Sequence, residues 1–187
     1  ERGVVTVGDA DLRELSPREV ARRLALISQH APETHGFTSL ELVLTGRYPH
    51  LRRLEVEGEH DRDVAYEAMR RTKTEMFAQR SASTLSGGER QRVFIARGLA
   101  QQTPIVLLDE PTASLDVRHQ LDMFELFRGL ADAGFTAVVA VHDLDLAARY
   151  CDRLVMLDDG RVVADGTPEQ VLTPALLSRV FGVSATV

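Results

Sequence analysis

Four apolar residues, Ile105-Val106-Leu107-Leu108, run straight into Asp109-Glu110-Pro111, and this junction constrains the fold more than any other stretch of the chain. A short apolar run bounded by polar residues fits a strand buried on both faces, as in a parallel sheet. An acidic pair at the carboxyl end of such a strand stands where open α/β sheets bind their ligands. Further strand signals lie at 24–29, 136–142 and 153–157, separated by helical patterns at 117–133 and 144–150. That alternation predicts an α/β chain, a mostly parallel sheet with flanking helices.

Between the first two strand signals, the pattern from about residue 38 to 78 turns helical, broken by Gly46, by Pro49 and by the charged stretch 55–63. It predicts a small helical subdomain, with expected boundaries of 35–95 for this part and of 1–34 and 96–187 for the α/β core. Ser16-Pro17-Arg18-Glu19 has the form of a helix start, with serine as N-cap and proline in the first turn. Ser86-Gly87-Gly88 predicts the opening of another helix, which carries Arg90, Arg92 and residues 95–99. Asp159-Gly160 between two apolar runs predicts a tight hairpin, and 168–181 reads as short helices.

Composition removes several functional classes. At 187 residues the chain is long enough to bury a sizeable core. A net charge of −6 speaks against a nucleic-acid partner, which would favour a basic face, and against a polybasic membrane anchor. The single cysteine, Cys151, excludes an internal disulfide and a cysteine-rich zinc site, in keeping with a reducing compartment. No apolar run approaches the roughly 18–20 residues of a membrane span, and no signal-peptide pattern opens the sequence, so a link to a membrane is expected to run through a partner.

Asp109 offers the oxygen ligand that Mg²⁺ prefers, and Glu110 beside it can orient or deprotonate an attacking water. Asp-Glu-Pro alone serves equally well to end a strand and enter a turn. The apolar residues before it and Thr112-Ala113-Ser114-Leu115-Asp116 after it favour chemistry. In Ser86-Gly87-Gly88 the glycines allow a ligand close to the backbone, and the helix N-terminus favours an anion, although a lone SGG is more often an ordinary cap. His142 closes the apolar run 137–141 and Gln29 follows the run before it; singly, each is commonplace. His30, His35, His50, His60 and His119 show no metal-ligand spacing and read as surface or structural residues.

Taken together, Leu85-Ser86-Gly87-Gly88-Glu89-Arg90-Gln91, the Ile105-to-Glu110 run, Ser114-Leu115-Asp116 and Val141-His142-Asp143-Leu144 resemble the ABC-type ATPases. Adding Gln29, Thr45-Gly46-Arg47-Tyr48-Pro49-His50 and the ending from 152 to 172, the chain resembles the ATPase subunits of importers for iron–siderophore, haem and cobalamin. The resemblance implies an ABC-type P-loop ATPase core with a helical subdomain, using ATP and Mg²⁺. It implies a homodimer in which Ser86, Gly87 and Gly88 contact ATP held mainly by the second copy, while Asp116 crosses the interface. Glu110, His142 and Gln29 take the catalytic roles, with Asp109 and Gln29 at the metal. Implied partners are the transmembrane permease subunits and, indirectly, a periplasmic or surface binding protein, which puts the chain on the cytoplasmic side of the membrane. Asp145, where asparagine is frequent, and Lys73, where an acidic residue is common, depart mildly from the pattern.

One motif of such a motor is missing from the sequence. No G-x-x-x-x-G-K-[ST] stretch occurs, and Lys73, the sole lysine, has no glycine before it. The expectation is an N-terminally truncated cassette, the later part of a longer protein and inactive alone, with a degenerate ATPase as the alternative. A pseudo-ATPase used for docking and a non-transport ABC ATPase are the other readings. Intact Glu110 and His142 argue against the first. Against the second stand the lack of sustained heptads between Gln29 and Leu85 and the absence of basic regions.

Overall fold

In the computed structural model, residues 3–28, 36–112 and 115–184 are described; Gln29, His30, His35 and Ser114 lie outside them. The chain divides into two compact units, Glu1–Ala140 and Val141–Val187.

The first unit opens with a short antiparallel pair, β1 (Thr6–Val7) and β2 (Ala10–Asp11). Helix α1 (Pro17–Ala21) starts as the sequence predicts: the Ser16 hydroxyl accepts from the Glu19 N–H, and the Glu19 carboxylate accepts from the Ser16 N–H at 2.8 Å. Then come β3 (Leu24–Ile27), α2 (Ser39–Leu44), α3 (Glu59–Arg71), α4 (Gly87–Ala100), β4 (Ile105–Asp109), α5 (Val117–Asp132) and β5 (Thr136–Ala140). The last three strands named form one parallel sheet in the order β3-β4-β5, with Leu26, Leu107 and Val138 in register as one row and Asp109 opposite Ala140. Parallel neighbours require long crossovers, and the helices between the strands supply them.

One face of this sheet is covered. Ala25 and Ile27 of β3 and Val106 and Leu108 of β4 are buried, and α4 lies over β3. The approach is close at Gly98, where a Cβ would stand 2.9 Å from Ile27 Cδ1. Helix α5 packs against β5 and buries Met123, Phe124, Phe127 and Leu130 at a three-to-four spacing, with the rings of Phe124 and Phe127 edge to face at 5.8 Å. On the opposite face Leu26 and Val138 are 56% and 53% exposed. Parallel strands are normally covered on both sides, so this row presents apolar surface to solvent in the chain as it stands.

The helical region follows expectation at Gly46 and departs from it further on. Helix α2 ends at Leu44 and the chain tightens into a 3₁₀ turn, Thr45–Arg47, so the α-helix stops just before Gly46. A Cβ at Gly46 would clash with the Arg97 carbonyl oxygen, so this glycine also serves the contact with α4. The charged stretch 55–63 is not an interruption throughout, because α3 begins at Glu59. Glu59 and Asp61 fall in its first turn, where negative charge suits the helix dipole, and the Asp61 carboxylate accepts from the Gly58 N–H at 3.1 Å.

The second unit holds α6 (Leu144–Tyr150), β6 (Leu154–Asp158), β7 (Arg161–Gly166), α7 (Pro168–Val171) and α8 (Pro174–Phe181). Strands β6 and β7 pair antiparallel, joined by Asp159 (φ +47°) and Gly160 (φ +71°), two positive φ values as a type I′ turn demands. Met156, Val171, Leu172 and Leu177 form its core.

Candidate functional site

Helix α4 begins at the glycine pair. Ser86 is its N-cap: the hydroxyl accepts from the Glu89 N–H at 3.3 Å, and the Glu89 carboxylate accepts from the Ser86 N–H at 2.8 Å. That backbone N–H, followed by the Ser86 hydroxyl, holds the Glu89 carboxyl below its usual range. The two glycines differ in surroundings. A Cβ at Gly88 would meet the His119 ring at 3.4 Å, whereas one at Gly87 would meet nothing within 4 Å among the described residues. Glycine in a first helical turn costs conformational entropy. No packing among the described residues calls for it at Gly87, and the exposed backbone there can admit a ligand closely.

The central strand β4 ends in Asp109, which is exposed at the carboxyl edge of the sheet. Glu110 follows with φ +43°, a left-handed conformation rare for a residue with a Cβ, and its N–H donates to the Ala140 carbonyl at 3.2 Å. That hydrogen bond extends the β4–β5 pairing by one step while the strained turn takes the chain out of the sheet. Pro111 and Thr112 behind it are buried. Asp116 caps α5, accepting from the His119 N–H at 2.9 Å and from the His119 ring Nδ1 at 2.8 Å. These two bonds hold the Asp116 carboxyl below its ordinary value.

Thus Asp109, Glu110, Asp116, Ser86, Gly87 and Gly88 all belong to the first compact unit, at an exposed strand end and two helix starts. His142 belongs to the second unit, an exposed residue just ahead of α6, whose cap is Asp143, accepting from the Leu146 N–H at 2.9 Å. Gln29 falls outside the described residues. Among the described residues, no group of three or more His, Cys, Asp and Glu side chains is placed to hold a metal. The donors at the end of β4 instead suit Mg²⁺, which takes one or two carboxylates and completes its shell with water and phosphate.

The segment around 45–51 is fixed more firmly than its sequence implies. Arg18 donates to the carbonyls of Pro49 (2.8 Å) and Leu51, and Arg22 donates to Pro49 at 2.8 Å. His50 Nε2 lies 2.8 Å from the Gln101 carbonyl. Arg47 turns inward, donating to Asp61 at 2.9 Å and to the Ala100 carbonyl at 2.7 Å. Arg47 is thus a buried tie between three helices, and Tyr48 next to it is the exposed side chain. His119, read from the sequence as a surface or structural residue, stands beside Asp116. Its spacing of three from Asp116 was the available signal, since N-cap and third residue meet in a first turn.

The ABC transporter family profile matches residues 1–113. The chain belongs to the ABC transporter family. It is 49% identical over 180 residues to the cobalamin import ATP-binding protein BtuD of Halobacterium salinarum, covering 96% of this chain and 45% of that one. To the ferric enterobactin transport ATP-binding protein FepC of Escherichia coli it is 40% identical over 181 residues, covering 96% of this chain and 67% of that one. Among solved structures it is similar to a dimeric, post-hydrolysis ATP-binding cassette bound to ADP and Pi, with a TM-score of 0.74, 29% identity, and coverage of 89% of this chain and 74% of the other. The ABC chain described here thus has the ATPase cassette fold and spans about half the length of its halobacterial relative.

Proposed function

We propose that this chain is the ATP-binding and ATP-hydrolysing part of an ABC importer that drives uptake of an iron chelate, siderophore or haem, or of cobalamin, across the cytoplasmic membrane. One observation carries the reading. The acidic pair Asp109-Glu110 leaves the central parallel strand at its carboxyl end, where open α/β sheets bind ligands, in the same compact unit as a helix start whose Gly87 no packing among the described residues requires. In this reading Glu110 orients and deprotonates the water that attacks the γ-phosphate, and His142 and Gln29 contact that phosphate. Asp109, with Gln29, holds Mg²⁺, which when bound neutralises developing phosphate charge. Ser86, Gly87 and Gly88 present backbone N–H groups and a helix N-terminus to the ATP of a second copy, and Asp116 lies beside that interface.

The sequence contains no P-loop, so the cradle and lysine for the chain's own nucleotide come, in this reading, from residues other than these 187, and the chain alone does not turn over ATP. Residues 35–95 act as the helical subdomain and 1–34 with 96–187 as the core portions. The permease docks against the former, and a periplasmic or surface binding protein delivers cargo to the permease. The assembly sits at the cytoplasmic face of the membrane.

Inside-out or reconstituted vesicles carrying the importer built with this subunit test the proposal. ATP-dependent transport of at least one among a ferric siderophore, haemin and cobalamin, abolished by Glu110→Gln, is expected. Transport of none of the three, or transport indifferent to ATP and to that substitution, contradicts it.

A further inference from the structure

We propose that His119 is a positioning residue that joins the Asp116 carboxylate to the Gly88 turn, so that the two elements assigned to the nucleotide interface move as one piece. The inference rests on that assignment of Ser86, Gly87, Gly88 and Asp116. Nδ1 of His119 lies 2.8 Å from Asp116 Oδ1, and the same oxygen accepts the His119 backbone N–H at 2.9 Å. The Asp116 carboxyl is held below its usual range, first by that backbone N–H and then by the ring. It is therefore ionised near neutral pH and can only accept, which puts a proton on Nδ1. The other edge of the ring faces α4: a Cβ on Gly88 would stand 3.4 Å from Cδ2 and 3.8 Å from Nε2. One turn further along both helices, the Arg92 guanidinium donates to Asp122 at 3.1 Å. Positions 88 and 92 lie on one stripe of α4, and 119 and 122 on the facing stripe of α5, so the two helix starts meet along a seam. A histidine that only capped α5 would need its backbone N–H alone; here the ring runs from the carboxylate to the place where a side chain at position 88 would stand.

Two substitutions separate the parts. His119→Ala removes the ring altogether, and His119→Asn keeps a donor near the place of Nδ1 while removing the edge that meets Gly88. Both keep the backbone cap, so α5 still starts at its place. In the isolated chain the amide resonance of Gly88 shifts in both variants, and that of Gly98, at the far end of α4, does not. In the assembled importer both variants lower kcat by about tenfold or more, as misplacement of interface groups would, while KM for ATP stays within about twofold. An Asn variant with normal kcat, an unmoved Gly88 resonance, or a loss of thermal stability with kcat intact overturns the link. If Glu110→Gln also leaves turnover intact, the site assignment itself fails; if Glu110→Gln abolishes turnover while both His119 variants behave normally, the inference alone fails.

Discussion

Arg47 Nε donates to the Asp61 carboxylate at 2.9 Å while its Nη1 reaches the Ala100 carbonyl at 2.7 Å and the Gln102 side-chain oxygen at 2.8 Å. The arginine is 3% exposed. One planar fork thus ties the turn after α2 to the start of α3 and the end of α4. Removing it takes the charged partner from the Asp61 carboxylate, which keeps only the Gly58 N–H, and a donor from the Ala100 and Gln102 oxygens. Arg47→Ala is expected to cost about 3 kcal/mol in urea denaturation, and Arg47→Lys to recover little, because an ammonium lacks the fork geometry. Burial pushes the Asp61 carboxyl upward, but the hydrogen bonds from Arg47 and Gly58 outweigh it and hold the group below its ordinary 3.8. A depressed carboxyl stabilises the fold above that ordinary value and loses its contribution as pH falls through the lower folded one. The gap between wild type and Arg47→Ala therefore narrows below pH 3.8; a gap that widens in acid contradicts the pairing.

Gly46 and Gly98 both sit at close approaches, with different neighbours. At Gly46 the obstacle is the Arg97 backbone at 2.2 Å, and at Gly98 it is the tip of the Ile27 side chain at 2.9 Å. Backbone cannot rotate away, and a side chain can. Gly46→Ala is expected to cost about 2–3 kcal/mol and Gly98→Ala about 1 kcal/mol, measured by chemical denaturation of the chain. The reverse order would mean that α4 shifts as a unit.

Much of this was legible in the sequence. The apolar runs ending in Asp109 and before His142 located the strands to within two residues, and Ser16, Asp159 and Gly160 set local structure through short-range hydrogen bonds and φ preferences. What stayed hidden was long-range. Arg47 looks like any surface arginine until α3 and α4 fold around it, and that Gly46 serves packing as well as the end of α2 shows only when the Arg97 carbonyl comes beside it. The strained φ of Glu110 has no local signature either, because it is imposed by the hydrogen bond to Ala140 and the turn into Pro111.

Tyr48 is 57% exposed on the segment whose Pro49 carbonyl accepts from Arg18 and Arg22 and whose His50 ring meets the Gln101 carbonyl. Aromatic side chains with a polar tip are enriched at interfaces. As a hypothesis, a helix of the permease docks here. Tyr48→Ala is expected to leave the melting temperature of the chain unchanged while loosening co-purification with the permease or uncoupling ATP hydrolysis from uptake. Normal assembly and normal uptake would remove this surface from the interface.

In the proposed function Glu110 serves as the base for water attacking ATP, held out of the sheet in a conformation that glycine would adopt more easily. Single-turnover hydrolysis in the assembled importer tests it most directly, comparing wild type with Glu110→Gln and Glu110→Gly. Both substitutions are expected to keep ATP binding and to lower the hydrolysis rate by about two to four decades. Glu110→Gly is also expected to match or exceed wild-type stability, because relief of the positive φ, worth about 1–2 kcal/mol, offsets the entropy of glycine. A drop of less than about tenfold in Glu110→Gln would contradict the account.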